Sequence, residues 1–186
     1  MSAVPRIPFE QLAPELSAQL RPRYERLGYL GEFFQVAASQ PAALSHFVSW
    51  TEALKEAIDW RLAEAIALTV AAASGNQYEQ VQHERLALKR GFEVEQVRAL
   101  VDGTAVTRTD LFSPAERAAV ELAREVTEAR GRSCETTFGA LVDLVGPELG
   151  VGCLMTATRY LAHSTMSNTW GVRAPVSSPL EGNPKS

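Results

Sequence analysis

The sequence predicts an all-α domain. Three observations carry that expectation. Strand-type alternation of Val, Ile and Thr is nearly absent, apolar residues recur at helical spacing, and helix caps and stops punctuate the chain. With 186 residues the chain fits one domain with a real core. Residues 1–174 are expected to form it, opening with a Pro-rich arm over about 1–14, and 175–186 read as a disordered tail by composition.

The elements follow in order. "ELSAQLRPRYERL" is a first amphipathic stretch, expected to be interrupted near Pro22, and "LGEFFQVAAS" is a second helix. A third starts at Pro41, with proline in a tolerated first-turn position, and either continues or breaks near Asp59. "RLAEAIALTVAAAS", residues 61–74, is apolar nearly all round, the profile of a helix buried on most sides. Asn76 then caps a helix that runs to Gly91, and "EVEQVRALVDG" is a short helix stopped by Gly103. "SPAERAAVELAREVTEARG" carries the strongest signature, with Ser113 capping, Pro114 in the first position and Glu116 closing the box. Ser133 is expected to cap "CETTFGALVDLVG". The last helix, "PELGVGCLMTATRYLAHSTMSNTWG", is rich in small residues that permit close backbone approach to a neighbour.

Composition excludes several classes. Hydrophobic residues make up 46%, charged residues 22%, and the net charge is −4 without a basic cluster, which argues against a nucleic-acid partner. No apolar run reaches the length of a membrane span, and the first residues lack the apolar segment of a signal peptide. Cys134 and Cys153 are too few and too far apart for a disulfide framework or a Cys-x-x-Cys motif. The expectation is a cytoplasmic protein, with no membrane and no nucleic acid among its partners.

Three residues stand out as candidates for chemistry. Glu64 is the only charged residue between Ala63 and Gln77, in surroundings that imply burial. Burial disfavours an unpaired carboxylate anion, which is the condition a general acid or base requires. Glu64 serves equally well as a structural partner for an arginine. Glu79 and His83 are four apart on one helix face, where a carboxylate favours the imidazolium and fixes its orientation. Against this, Asn76-x-x-Glu79 is close to a capping box, so Glu79 also fits a capping role and His83 a satisfied interior histidine. Tyr78 reads as a packing residue. His163 shares a face with Arg159, His46 adjoins Phe47, and both histidines read as structural. No pattern of histidines suggests a metal site, and there is no phosphate-cradling loop or nucleophile elbow.

The stretch "EAIALTVAAASGNQYEQVQHERLALKRGFEVEQVRALVDG" resembles the superfamily of carboxymuconolactone decarboxylases and alkyl hydroperoxidase D. The resemblance extends over about residues 52–110. It places the family's glutamate at Glu64 and its histidine at His83. The cysteines of the hydroperoxidase branch fall on Asn76 and Glu79, so the resemblance argues against a thiol peroxidase. The decarboxylase branch shows a glutamate four before the histidine, as "YEQVQH" does. The resemblance implies a compact AhpD-like helical fold, oligomeric as a homotrimer or hexamer. It also implies a cofactor-free carboxy-lyase-like enzyme acting on a small-molecule substrate, a carboxylated lactone or enol acid.

In that reading His83, oriented by Glu79, is the acid or hydrogen-bond donor and Glu64 carries the proton. The helix start at Asn76, Gln77 and Tyr78 offers backbone N–H groups to the anionic substrate. An isomerase or other proton-transfer enzyme of the same superfamily remains an alternative. So does a non-catalytic oligomeric protein.

Overall fold

A computed structural model describes residues 4–180. Its described elements are helical: α1 (Pro14–Leu27), α2 (Glu32–Ala37), α3 (Pro41–Ala57), α4 (Trp60–Ala73), α5 (Gln77–Lys89), α6 (Val94–Asp102), α7 (Pro114–Ala129), α8 (Glu135–Val145) and α9 (Pro147–Trp170). Short 3-10 turns lie at Phe9–Gln11 and Ala105–Thr107. Among the described residues no helix is long and apolar enough to cross a membrane.

Helix α4 is the axis of the fold. It packs against α5, α6, α7 and α9, and Ala65 through Leu68 are fully buried. That placement is what an all-round apolar helix requires. Its start is set locally. Ile58 is extended, breaking the chain after α3, and the Asp59 carboxylate accepts from Arg61 N–H to cap α4. At the other end Gly75, at φ +60, turns the chain, and the Asn76 side chain accepts from Glu79 N–H to open α5. Helix α7 begins with the reciprocal capping box of Ser113 and Glu116. Arg61 also pairs with Glu116 at 2.6 Å, tying α4 to α7.

Several details differ from the sequence expectation. Helix α1 continues through Pro22 rather than stopping there. Ala18 and Pro22 are both exposed, so the carbonyl freed by the missing N–H faces solvent instead of the core. Ser133 makes no cap. It sits at φ +60, and Cys134 occupies the position before α8 without a side-chain cap bond. His46, expected in the core or at an interface, is not in the core but exposed on the single chain. Past Pro175 the described residues pack against the body. Ser178 is buried and its hydroxyl donates to Glu84, itself 1% exposed. Composition registers the Pro and Ser content of this stretch but not that a buried carboxylate awaits it. Residues 181–186 of the expected tail lie outside the described residues.

The small residues of α9 do bring helices together. A Cβ built on Gly152 lies 2.6 Å from Ile58 Cγ2, and one on Gly150 lies 2.7 Å from Val142 Cγ2. The junction of α3 and α4, and α8, therefore sit against bare α9 backbone. Gly152→Ala is expected to destabilise the fold by about 1–3 kcal/mol through overpacking. Denaturant unfolding measures this, and unchanged stability contradicts the close approach.

Candidate active site

The site is built on α4 and α5, with one group from α9. Glu64 lies in the second turn of α4 and is 4% exposed. Glu79 is the third residue of α5 and is 5% exposed. His83 follows one turn later and stands at the edge, its side chain 12% exposed. Its Nδ1 is hydrogen-bonded to Glu64 Oε2 at 2.7 Å, while its Nε2 is 3.6 Å from Glu79 Oε2. The shorter contact therefore comes from the neighbouring helix, and the i,i+4 glutamate stands further off. Arg90 Nη1 lies 3.6 Å from the other Glu64 oxygen.

Glu79 does not use its carboxylate for capping. Asn76 alone caps α5, and the Asn76 N–H bonds to Ala71. The Glu79 carboxylate turns inward, where its Oε2 lies 2.9 Å from His163 Nδ1 on α9. Neither His163 ring nitrogen is aligned for a hydrogen bond. That ring sits among aromatics, 3.8 Å from Phe33 and 5.8 Å from Phe47 between centroids. Glu64, His83, Glu79 and His163 thus form one continuous alternation of acid and imidazole from the edge into the core. Tyr160 of α9 completes the surroundings, meeting the His83 ring edge-on at 5.0 Å.

The charge states follow from this geometry. Burial alone would lower the proton affinity of His83. The adjacent Tyr160 oxygen and the Glu64 and Glu79 carboxylates more than offset it and hold the imidazole well above its usual range. Burial pushes His163 down to about 4, with partial compensation from Glu79 and opposition from Arg159 and His83. Burial would raise Glu79, yet attraction to His163 and His83 holds it well below the ordinary carboxylate range. Glu79 thus has an imidazole on each side, His163 at 2.9 Å and His83 at 3.6 Å.

The other candidates fall elsewhere. Asn76, Gln77 and Tyr78 line an open cleft of about 730 Å³, walled opposite by the chain from Gly171 to Ser178. Tyr78 is 2% exposed and packs with Phe33 and Leu30, as a packing residue should. A smaller cavity of about 20 Å³ lies between Thr51, Ala63, Thr156, Arg159 and Tyr160. Glu64, Glu79 and His83 line neither of these two cavities. The thiols stand apart, Cys134 just before α8 and Cys153 on α9, both packed in the core that α4, α7 and α9 share, and burial pushes Cys153 up to about 11. Among the described residues no group of three or more His, Cys, Asp or Glu side chains is disposed to hold a metal ion.

His163, Arg159 and Tyr160 are the residues that sequence reasoning passed over. The i,i+4 spacing of Arg159 and His163 suggests a local pair, whereas each turns to partners more than 80 residues away.

Residues 41–125 match the carboxymuconolactone decarboxylase family. No curated protein matches the chain. Among solved structures, the debrominase Bmp8 is similar, as a cysteine-to-alanine variant in complex with 2,3,4-tribromopyrrole. Its identity is 17% and its TM-score 0.81, covering 95% of this chain and 93% of that one. An alkylhydroperoxidase AhpD core, an uncharacterised peroxidase-related protein from Ralstonia eutropha JMP134, is 22% identical. Its TM-score is 0.73, covering 93% and 92%. At these identities the structural likeness establishes an AhpD-like fold.

The histidines give the site a pH signature. The unfolded chain protonates His163 near 6.5 and the folded chain only near 4, so the unfolded state binds the extra proton in between. The stability that a neutral His163 contributes is present above 6.5 and is lost as pH falls toward 4. His83 runs the other way: its contribution is present below 6.5 and is lost as pH rises through its elevated folded value. Imidazole nitrogen NMR is expected to show His163 neutral down to about pH 4 and His83 protonated well above neutrality. Two histidines titrating together near 6.5 contradict this arrangement.

Proposed function

We propose that this chain, which matches the carboxymuconolactone decarboxylase family over residues 41–125 and has an AhpD-like fold, is a cofactor-free acid–base enzyme of the decarboxylase type, acting on a small carboxylated lactone or enol acid. The observation that carries this reading is the buried Glu64–His83–Glu79 alternation in place of a thiol pair. Loss of CO₂ from such a substrate leaves an electron pair that delocalises into the ring carbonyl as an enolate. The enzyme must then stabilise the oxyanion and return a proton to carbon.

His83 is suited to both tasks. Its imidazolium form is favoured by two carboxylates, and Nδ1 is committed to Glu64. At 3.6 Å from Glu79, Nε2 is beyond normal hydrogen-bond length, so its proton is free to be offered to substrate. After that transfer His83 is the neutral Nδ1–H tautomer held by Glu64, its Nε2 takes the next proton from solvent at the exposed edge, and Glu79 favours the cation that re-forms. Backbone N–H groups at Gln77 and Tyr78 face the first turn of α5, where negative charge is favoured. The same groups serve proton transfer next to a carbonyl, so isomerisation is the neighbouring chemistry. Thiol peroxidation has no support, since α4 and α5 carry no cysteine.

Self-association is part of the proposal. Leu144 at the end of α8, and Val151 and Met155 one turn apart on α9, are large apolar side chains left 43–55% exposed.

Carbon dioxide release from a panel of carboxylated lactones and enol acids tests the reading. His83→Ala and Glu64→Gln are each expected to lose roughly 10²–10⁴-fold in turnover, the range of a positioned acid–base group. Cys134→Ser and Cys153→Ser are expected to retain activity, and sedimentation of the wild type to give a multimer. Unchanged rates in both His83→Ala and Glu64→Gln reject the assignment, and a thiol-dependent loss of hydroperoxide contradicts it outright.

A further inference from the structure

Arg159 is 4% exposed, and its partners do not match its charge. A guanidinium offers five N–H donors. Among the described residues only Nε–H is used, donating to the Thr51 hydroxyl at 2.9 Å. Its remaining support is aromatic, with the guanidinium carbon 4.7 Å from the Phe47 ring and 4.5 Å from the Tyr160 ring. No described carboxylate forms an ion pair with it. The buried carboxylates are treated differently. Glu64 and Glu79 meet histidines, Glu116 meets Arg61, and Glu84 takes hydrogen bonds from Gln80 and Ser178. Buried charges in proteins are paired, and burial here works against the Arg159 charge. Glu79 and Glu52 act on it only from beyond ion-pair distance, so the position of a close counter-ion is open.

The surroundings indicate where that counter-ion sits. The cavity of about 20 Å³ beside Arg159 has room for one small polar group. Its lining brings together two cations, Arg159 and Lys55, and two hydroxyls, Thr51 and Thr156, with no carboxylate. The Thr156 hydroxyl is buried without a partner, in a residue 2% exposed. Lys55, its side chain 52% exposed, is paired with Glu52 at 2.7 Å, a solvent-screened surface pair that an incoming carboxylate competes with. Tyr160 forms the shared wall with the acid–imidazole chain, one ring contact from His83, and Ala63 on the opposite wall precedes Glu64.

We propose that this cavity is a carboxylate-binding subsite, in which Arg159 and Lys55 pair with one carboxylate of a small organic acid and the Thr51 and Thr156 hydroxyls complete its hydrogen bonds. The proposal rests on the acid–base reading of His83 for what happens to the bound acid, but not for the binding itself. Arg159 is then a substrate-anchoring residue that selects for acids over their neutral counterparts.

Calorimetric titration with sodium benzoate, compared with benzamide, tests it at fixed ionic strength. The wild type is expected to bind benzoate saturably and benzamide at least about tenfold more weakly, the equivalent of one charge-assisted contact. Arg159→Met is expected to weaken benzoate about tenfold or more. Arg159→Lys and Thr156→Val weaken it by smaller factors, and these two carry the test if Arg159→Met does not fold. His83→Ala is expected to bind benzoate within about twofold of wild type. Benzoate binding that survives in an inactive His83→Ala protein thus separates this subsite from the catalytic assignment.

Absence of saturable binding to the wild type overturns the proposal, as does affinity indifferent to all three substitutions at Arg159 and Thr156. Arg159→Met that dissociates the assembly in sedimentation, with no benzoate binding to the wild type, assigns the counter-ion to a second copy of the chain and also overturns it.

Discussion

The contact between Glu64 Oε2 and His83 Nδ1 is the interaction from which the rest of the site follows. Helix α4 is apolar on almost every side, so a carboxylate within it cannot reach bulk water. Such a group is tolerated only if another element brings it a donor. Helix α5 does so, and its register is fixed by the Asn76 cap and the Gly75 turn that folds it back. A shift of one residue in α5 would rotate His83 by about 100° and leave Glu64 without its donor. The caps therefore help to build the site, because they set which face of α5 meets α4.

Once His83 is charged, the remaining groups take definite roles. Glu79 is held ionised by the imidazoles on both sides of it, His163 first and His83 second, while burial and two other positive charges push His163 toward its neutral form. Acid and imidazole alternate from the edge of α5 to the aromatic cluster around Phe33. Within that row only Glu64 and His83 are hydrogen-bonded; His83 and Glu79 stand 3.6 Å apart. The AhpD-like fold supplies the adjoining helices. The residue types on them determine whether the chemistry is thiol-based or acid–base.

Much of this was legible in the sequence, and the reason is locality. The Ser113 and Glu116 box and the Asn76 cap involve residues within a few positions of each other, so pattern reveals them, while the break at Asp59 was one of two readings the pattern left open. Glu64 was conspicuous as a lone charge in an apolar helix. Glu79 was ambiguous, because its position fits a cap, and only the inward turn of its carboxylate distinguishes the two uses. His163 and Arg159 were illegible for the opposite reason. Their partners, Glu79 and Thr51, lie on other helices, while their mutual spacing suggests a local pair that does not form. The seating of Ser178 on Glu84 was hidden in the same way, by distance along the chain.

The central claim is that Glu64 and His83 act as one ionic unit across two helices. A double-mutant cycle measures that unit directly, using the unfolding free energies of the wild type, Glu64→Gln, His83→Gln and the double variant at neutral pH. A charge-assisted hydrogen bond in this setting predicts a coupling of about 1.5–3 kcal/mol between the two positions. Additive effects, with coupling indistinguishable from zero, would contradict it.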